Sequence, residues 1–296
     1  MSAAITTDQA TAGGLAAPRV ARSRKRRPLT PRRLLISISA YLIAIIFLLP
    51  YVEMVITALR PPAELQERGY VPQHWDWTNF TSIWKSGFGK NIRISLQISG
   101  GATLLVLLVA LPAAYYTARR KFRGRMLFLL LVLATQMFQP AAMLVGIQRQ
   151  FTDYGLSPTT SLILVNAGFN LAFAVWILNA YFSSIPAELE EAAMVDGTSR
   201  LGALGRITLP LALPGIVTAL IFTFIAAWNE FIVAVTLSGD PTKGPLTVAI
   251  NNYIGQYSVD WGHLFAGSVI ATIPVIILFA VIEGKVVGGL TAGSIK

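Results

Sequence analysis

The side chains in this sequence that could do chemistry are few and sit in two places. The dense acidic cluster Glu188, Glu190, Glu191 and Asp196 lies in the string Ser184-Ile185-Pro186-Ala187-Glu188-Leu189-Glu190-Glu191-Ala192-Ala193-Met194-Val195-Asp196-Gly197. Carboxylates at that density are what a polytopic membrane enzyme, such as a lipid-linked glycosyl transferase, would place at a membrane interface for acid–base work. Glu230, beside Asn229 in an otherwise apolar run, is the residue a proton-coupled carrier would use. Other chemistries lack their reagents. There is no cysteine, which excludes disulfides, thiolate ligands and Cys nucleophiles. The histidines are His74 and His263, far apart and each read as lacking an acidic partner, so no catalytic residue and no metal site is expected of them. No G-x-x-x-x-G-K-[ST] phosphate loop occurs, so nucleotide chemistry is expected from another chain.

The elements that must hold these residues are set by the solvent. With 54% hydrophobic and 13% charged residues, the chain falls well below the charge content of about 25% usual in soluble domains. The net charge of +10 comes from basic residues at the edges of apolar segments, not from a stripe with interleaved aromatics, so it points to membrane topology and not to nucleic acid. Apolar stretches near 34–59, 92–118, 126–148, 161–182, 211–237 and 264–283 each approach the roughly 20 residues a helix needs to cross hydrocarbon. They are continuous and not alternating, which argues for helices over strands.

Residues 1–33 are small, polar and then basic, broken by Pro18, Pro28 and Pro31, and read as a disordered cytoplasmic tail without the features of a cleavable signal. The Lys and Arg of that tail, with Arg119, Arg120, Lys121, Arg123 and Arg125 between the second and third spans, place both termini and that link in the cytoplasm. The links over 60–91 and 238–263 are then outside, and Trp75, Trp77, Phe80 and Trp84 suit an interfacial segment. The domain reading is a basic tail over 1–33, a transmembrane domain over 34–288 and a short polar, glycine-bearing tail over 289–296.

The acidic string falls between the fourth and fifth spans and reads as a short helix, a turn and a second short helix. Ser184 suits the N-cap, Pro186 the first turn, and Glu188 and Glu190 the positive end of the helix dipole. Gly197 is where the chain can turn, because glycine accepts positive φ without a steric cost. The face carrying Ala192 and Ala193 is bare enough for a partner's cleft to close on it. Read from the residues alone, an ordinary amphipathic linker fits as well.

Glu191-Ala192-Ala193, then Gly197, then Ile207 and Leu209-Pro210, resembles the full EAA loop of ABC-importer permeases. Trp228-Asn229-Glu230-Phe231 resembles the W-N-E-F element of the carbohydrate-uptake branch, and Gly155-Leu156 with Thr159 or Thr160 its G-L-x-x-T stretch. Gly289-Leu290-Thr291, Gly293 and Lys296 resemble the G-L-T-x-G-x-x-K ending found there, in the second permease of the maltose transporter among others. The sequence departs from the common pattern at Ala172, where many relatives carry proline. The resemblance implies an all-α integral membrane fold of the type I ABC importer kind. It implies that Glu191, Ala192, Ala193, Asp196, Gly197, Ile207, Leu209 and Pro210 form a coupling loop (184–210) for an ATPase, and that Gly289, Leu290, Thr291 and Gly293 reach the ATPase interface. The implied partners are a second homologous permease, an ABC ATPase dimer that holds ATP and Mg, an extracytoplasmic sugar-binding protein and membrane lipid. This chain would carry no cofactor of its own.

Polar residues inside the spans are the candidates for a substrate pathway. A charge at the bilayer centre costs on the order of 3 kcal/mol, so Glu230 beside Asn229 should face the bundle interior or a pathway. Asn166 and Asn170, like Gln136 and Gln139, are near one helical turn apart and share a face. Amides there suit sugar hydroxyls, and equally suit hydrogen bonds between helices.

Overall fold

The computed structural model describes residues 31–66, 69, 72–138, 140–240 and 243–292, with backbone only at 33, 66 and 283–292. Gln139, Gly293 and the tail residues 1–30 lie outside the described residues. The chain divides into two units, 1–49 and 50–296. In the first, the described residues form the start of α1 (Pro31–Ala58), an apolar helix that ends in the second unit.

The second unit is helical. It runs α2 (Thr78–Lys85), α3 (Phe88–Arg119), α4 (Arg125–Ala134), α5 (Pro140–Asp153), α6 (Pro158–Ser184), α7 (Glu188–Val195), α8 (Arg200–Ala203), α9 (Leu209–Leu211), α10 (Leu213–Trp228), α11 (Ile232–Leu237), α12 (Leu246–Asn251) and α13 (Trp261–Ala292). Among the described residues, 4 helices are long and apolar enough to cross a membrane, α1, α3, α6 and α13, and 6 spans result if two bent pairs each count as one.

The bent pair in the third span and a break inside the fifth correct the expectation of six continuous spans. In the third, Pro140 has no N–H to continue the ladder of α4, and it opens α5 instead. At the start of the fifth, the α8–α9 segment meets α10 at 72°. Pro210 and Pro214, one helical turn apart, lack the N–H donors a continuous helix would use there, and the chain turns between them at Ala212. The fifth span itself breaks at Asn229–Phe231 before α11 begins. At the other end of the chain, α13 continues to Ala292, so Gly289, Leu290 and Thr291 are helical and not an irregular tail. No proline interrupts that stretch, and the roughly 1 kcal/mol that each glycine costs a helix is too little to end it.

The core is the contact of α3, α6 and α10, which pack more extensively on one another than any other elements. Along α3, Ala102, Val106, Ala110 and Ala114 recur every fourth residue and are buried against Ala174, Val175, Leu178 and Phe182 of α6. Small side chains let the backbones approach, the usual basis of helix association where lipid is as apolar as leucine. Ala172 is buried in an unbroken α6, so the departure from proline there leaves the helix whole. Gly215 is the tightest point, since a β-carbon on it would lie 2.3 Å from Cγ of Tyr181 on α6.

We expect Gly215→Val to destabilise the helix bundle by roughly 1–3 kcal/mol, the usual cost of overpacking. Gly168→Ala, which meets nothing within 4 Å, should not. Thermal unfolding in detergent would decide, and equal midpoints for both variants would contradict this packing.

Candidate functional site

The loop between α6 and α10 is ordered by backbone geometry at both ends of α7. Thr198 N–H donates to the Ala193 carbonyl at 3.0 Å and Gly197 N–H to that of Met194 at 3.1 Å. Gly197 has φ +86°, and this pair of bonds around a left-handed glycine is a Schellman stop. Ser184 does not cap α7. α6 runs through Ser184, whose Oγ donates to the Tyr181 carbonyl at 2.8 Å, and Ala187 takes the cap position without a side-chain bond. Ser199 is the cap in this loop, accepting from Gly202 N–H at 3.2 Å at the start of α8. The segment Leu204–Thr208 then forms a π-turn, a local widening that recurs at functional positions.

Glu190 is the centre of the site, whereas the family resemblance points to its neighbour Glu191. Glu190 is 6% exposed. Its carboxylate accepts from Nε of Arg119 at 2.8 Å, from the Tyr115 hydroxyl at 2.8 Å and from Thr208 Oγ1 at 2.5 Å. Nη2 of Arg119 lies 2.8 Å from the same oxygen as Nε, a charge contact without hydrogen-bond alignment. Nη1 of Arg119 donates to the Ile185 carbonyl at 2.7 Å. One carboxylate therefore joins the end of α3, the first turn of α7 and the π-turn leading to α10. Burial alone would raise its carboxyl, but the bonds from Thr208 and Tyr115 and the Arg119 charge outweigh that and hold it below the ordinary 4.5.

The outward side of α7 is free of such ties. Glu191, Ala192, Asp196 and Gly197 are exposed and Ala193 is half-buried. Val195 and Leu201 present apolar side chains that are 87% and 80% exposed, so the loop offers an apolar surface edged by acids. Of the other loop residues, Leu209 packs against the helix core, Ile207 is half-buried and Pro210 is exposed.

The intramembrane candidates fall in two separate places. Glu230 is not inside a regular helix. It follows the break after α10, and its two carboxylate oxygens accept from Val233 and Ala234 N–H, both at 2.9 Å, capping α11. Thr247 Oγ1 donates to the Glu230 carbonyl at 2.9 Å. Exposed Asn229 opens onto a cavity of about 320 Å³ whose lining includes Tyr51, Trp228, Thr247, Ser268 and Thr272. The amides elsewhere are spent on backbone: Asn166 on Leu162 (2.9 Å), Asn170 on Asn166 (2.8 Å) and Gln136 on Phe169 (2.6 Å). Gln136 thereby joins the region of Asn170.

Both histidines have the acidic partners that the sequence reading denied them. His74 Nδ1 lies 3.2 Å from Glu64, ten positions away across a loop. His263 Nδ1 lies 2.6 Å from Asp260, because the start of α13 folds the residue three positions earlier back on it. His263 Nε2 also meets Ser82 Oγ at 2.6 Å, tying α2 to α13. Ser82 Oγ lies 2.7 Å from the Thr78 carbonyl of its own helix, which suits a tether and not a nucleophile.

Residues 107–285, which hold the whole of this loop and its anchor, match the family of binding-protein-dependent transport system inner membrane components. This chain belongs to that family. It is 33% identical over 258 residues to a probable ABC transporter permease protein of Bacillus subtilis, covering 86% of this chain and 85% of the relative. It is 32% identical over 271 residues to the trehalose/maltose transport system permease protein of Thermococcus litoralis, covering 90% and 97%. A chain of a bacterial ABC transporter involved in alginate import shares the fold, with TM-score 0.72 at 24% identity, covering 87% of this chain and 99% of that one. The protein is thus a multi-pass inner membrane permease subunit with the type I importer fold.

The anchor makes a pH-dependent prediction. A carboxyl held below its ordinary value in the folded state contributes stability above that value, and the contribution is withdrawn as pH falls through the lower, folded value. Amide protection over 185–211, taken relative to the intrinsic exchange rate at each pH, should hold down to about pH 5 and fall only below about pH 4.5. Glu190→Gln should lower that protection above about pH 5, by the roughly 1.5–3 kcal/mol that hydrogen bonds to a charged group supply, and should converge on the wild type at lower pH. Unchanged exchange in the variant would show that the carboxylate does not hold the loop.

Proposed function

We propose that this permease is one of two homologous membrane subunits of an ATP-driven importer for a mono-, di- or oligosaccharide. An ABC ATPase dimer docks on the 184–210 loop and holds the ATP and Mg, and an extracytoplasmic sugar-binding protein delivers the substrate. The termini and the Arg119–Arg125 link face the cytoplasm, as the excess of basic residues there argues. The sugar assignment draws on the names of the relatives, which include a trehalose/maltose and a diacetylchitobiose permease.

The observation that carries the coupling role is the pairing of an exposed apolar helix face with a buried ionic anchor. Closure of the ATPases displaces α7. Through Glu190 and Arg119 that displacement moves the end of α3, and through Thr208 and Leu209 it reaches the bend into α10. The bundle then reopens toward the binding protein. Glu191, Ala192, Ala193, Asp196 and Gly197 form the docking surface, while Ile207, Leu209 and Pro210 transmit from it. Asn229 and Glu230 flank the pathway, because a break that exposes polar backbone at membrane depth is tolerated where it lines a cavity. Asn166, Asn170 and Gln136 act chiefly as packing groups on this reading.

Gly197→Asp separates docking from folding. A β-carbon at Gly197 meets nothing within 4 Å of its own chain, so the internal cost is the positive φ alone, of order 1 kcal/mol. The variant should insert normally, lose much of the co-purifying ATPase, and fail to link ATP hydrolysis to uptake in proteoliposomes. In the same assay Glu230→Gln should slow uptake while leaving the complex assembled. Wild-type docking and uptake from Gly197→Asp would reduce the loop to a linker, and wild-type uptake from Glu230→Gln would reduce Glu230 to a helix cap.

A further inference from the structure

Beside the Glu190 anchor lies a cavity of about 360 Å³ lined by the end of α3 and by α7, which shares Glu191 with the proposed docking surface. Its charge is unbalanced. Arg119 is neutralised by Glu190, but Arg120 and Arg200, which also line it, have no acidic group within 4.0 Å among the described residues. Two guanidiniums are thus set against one other carboxylate on the lining, Glu191. Lys121 and Arg123 stand exposed just beyond Arg120 and add to the positive field. Guanidinium groups converging on a pocket are the standard receptor for a phosphate oxygen pair.

The position favours a lipid over a free anion. α3 is one of the membrane-spanning helices, and Tyr116 and Arg120, at its last turn and just past its end, line the mouth. Tyr116 is 56% and Phe122 37% exposed, with ring centroids 5.7 Å apart, the aromatic pairing expected at headgroup depth. Met194 adds an apolar wall. A phosphodiester could lodge between Arg120 and Arg200 while its acyl chains follow the apolar flank of α3. We infer that this cavity binds the phosphate headgroup of an anionic phospholipid, which then braces α7 against α3 next to the Glu190–Arg119 pair. Basic pockets at the ends of membrane helices are built for that ligand class. The inference does not depend on which solute is carried.

Because the chain has no cysteine, one introduced thiol reports on the cavity. Met194→Cys in the assembled transporter is labelled with a maleimide, read by mass on this subunit, in three settings: phosphatidylglycerol nanodiscs, phosphatidylcholine nanodiscs, and phosphatidylcholine nanodiscs with millimolar inorganic phosphate. Labelling should be slow in phosphatidylglycerol alone. Adding Arg120→Gln and Arg200→Gln should restore the fast rate and weaken phosphatidylglycerol binding roughly thirtyfold, the worth of two basic contacts at a membrane surface. Arg120→Lys with Arg200→Lys should keep most of the protection, which separates lost charge from misfolding. Equal protection by inorganic phosphate would make this a free-anion site and overturn the lipid assignment. Slow labelling in all three settings would mean that a partner protein fills the cavity, and fast labelling in all three that nothing does; either overturns it.

Discussion

A single buried carboxylate decides how the end of this permease that carries the 184–210 loop is built. Leaving Glu190 ionised at 6% exposure without partners would cost several kcal/mol, so the elements that supply its donors are not free to drift. They come from different stretches of chain: Arg119 and Tyr115 from α3, Thr208 from the turn before α10. Arg119 adds a bond to the Ile185 carbonyl, where the chain leaves α6. Charge-assisted bonds in so dry a setting are stiff, so α7 and the ends of its neighbours behave as one body. The apolar surface around Val195 and Leu201 is then carried on a rigid arm.

Deeper in the bundle the ruling constraint is that no backbone group can be left to water. The irregular stretches obey it with local side chains. Glu230 accepts the first amides of α11, and Thr247 pairs with the Glu230 carbonyl. Asn91 donates to the Gly244 carbonyl at 2.7 Å, and Ser95 Oγ accepts from Leu246 N–H at 2.7 Å, fixing the return into α12. The breaks are therefore held in a defined shape and can move as hinges between helical segments, which suits a pathway that must open alternately to either side.

Much of this was legible in the sequence because hydrocarbon imposes length and polarity so strictly. The spans, their helical character and the turn at Gly197 follow from apolar runs and one glycine. What escaped was long-range pairing. Nothing local distinguishes Glu190 from Glu191, since the two differ only in which side of α7 they occupy, and that is decided by Arg119, 71 positions away. The offset of Ser184 from the helix start was hidden for a similar reason: α6 carries on past the point where local propensity suggests a cap. Pro140 was readable as a break in the third span, but hydropathy alone ran through it, as it ran through the break at Asn229–Phe231 in the fifth. Glu230 stands out in the sequence as a charge in an apolar run, while its use as a helix cap depends on a break that no composition rule marks.

The central claim is that force on α7 reaches the membrane helices through the Arg119–Glu190 contact. The direct test is a double-mutant cycle of Arg119→Met and Glu190→Leu in the reconstituted transporter, reading substrate imported per ATP hydrolysed. If the pair transmits as a unit, each single change should uncouple transport and the double change should do little further harm, a non-additivity of about 1 kcal/mol or more. Strictly additive losses, or coupling that survives both single changes, would contradict the account.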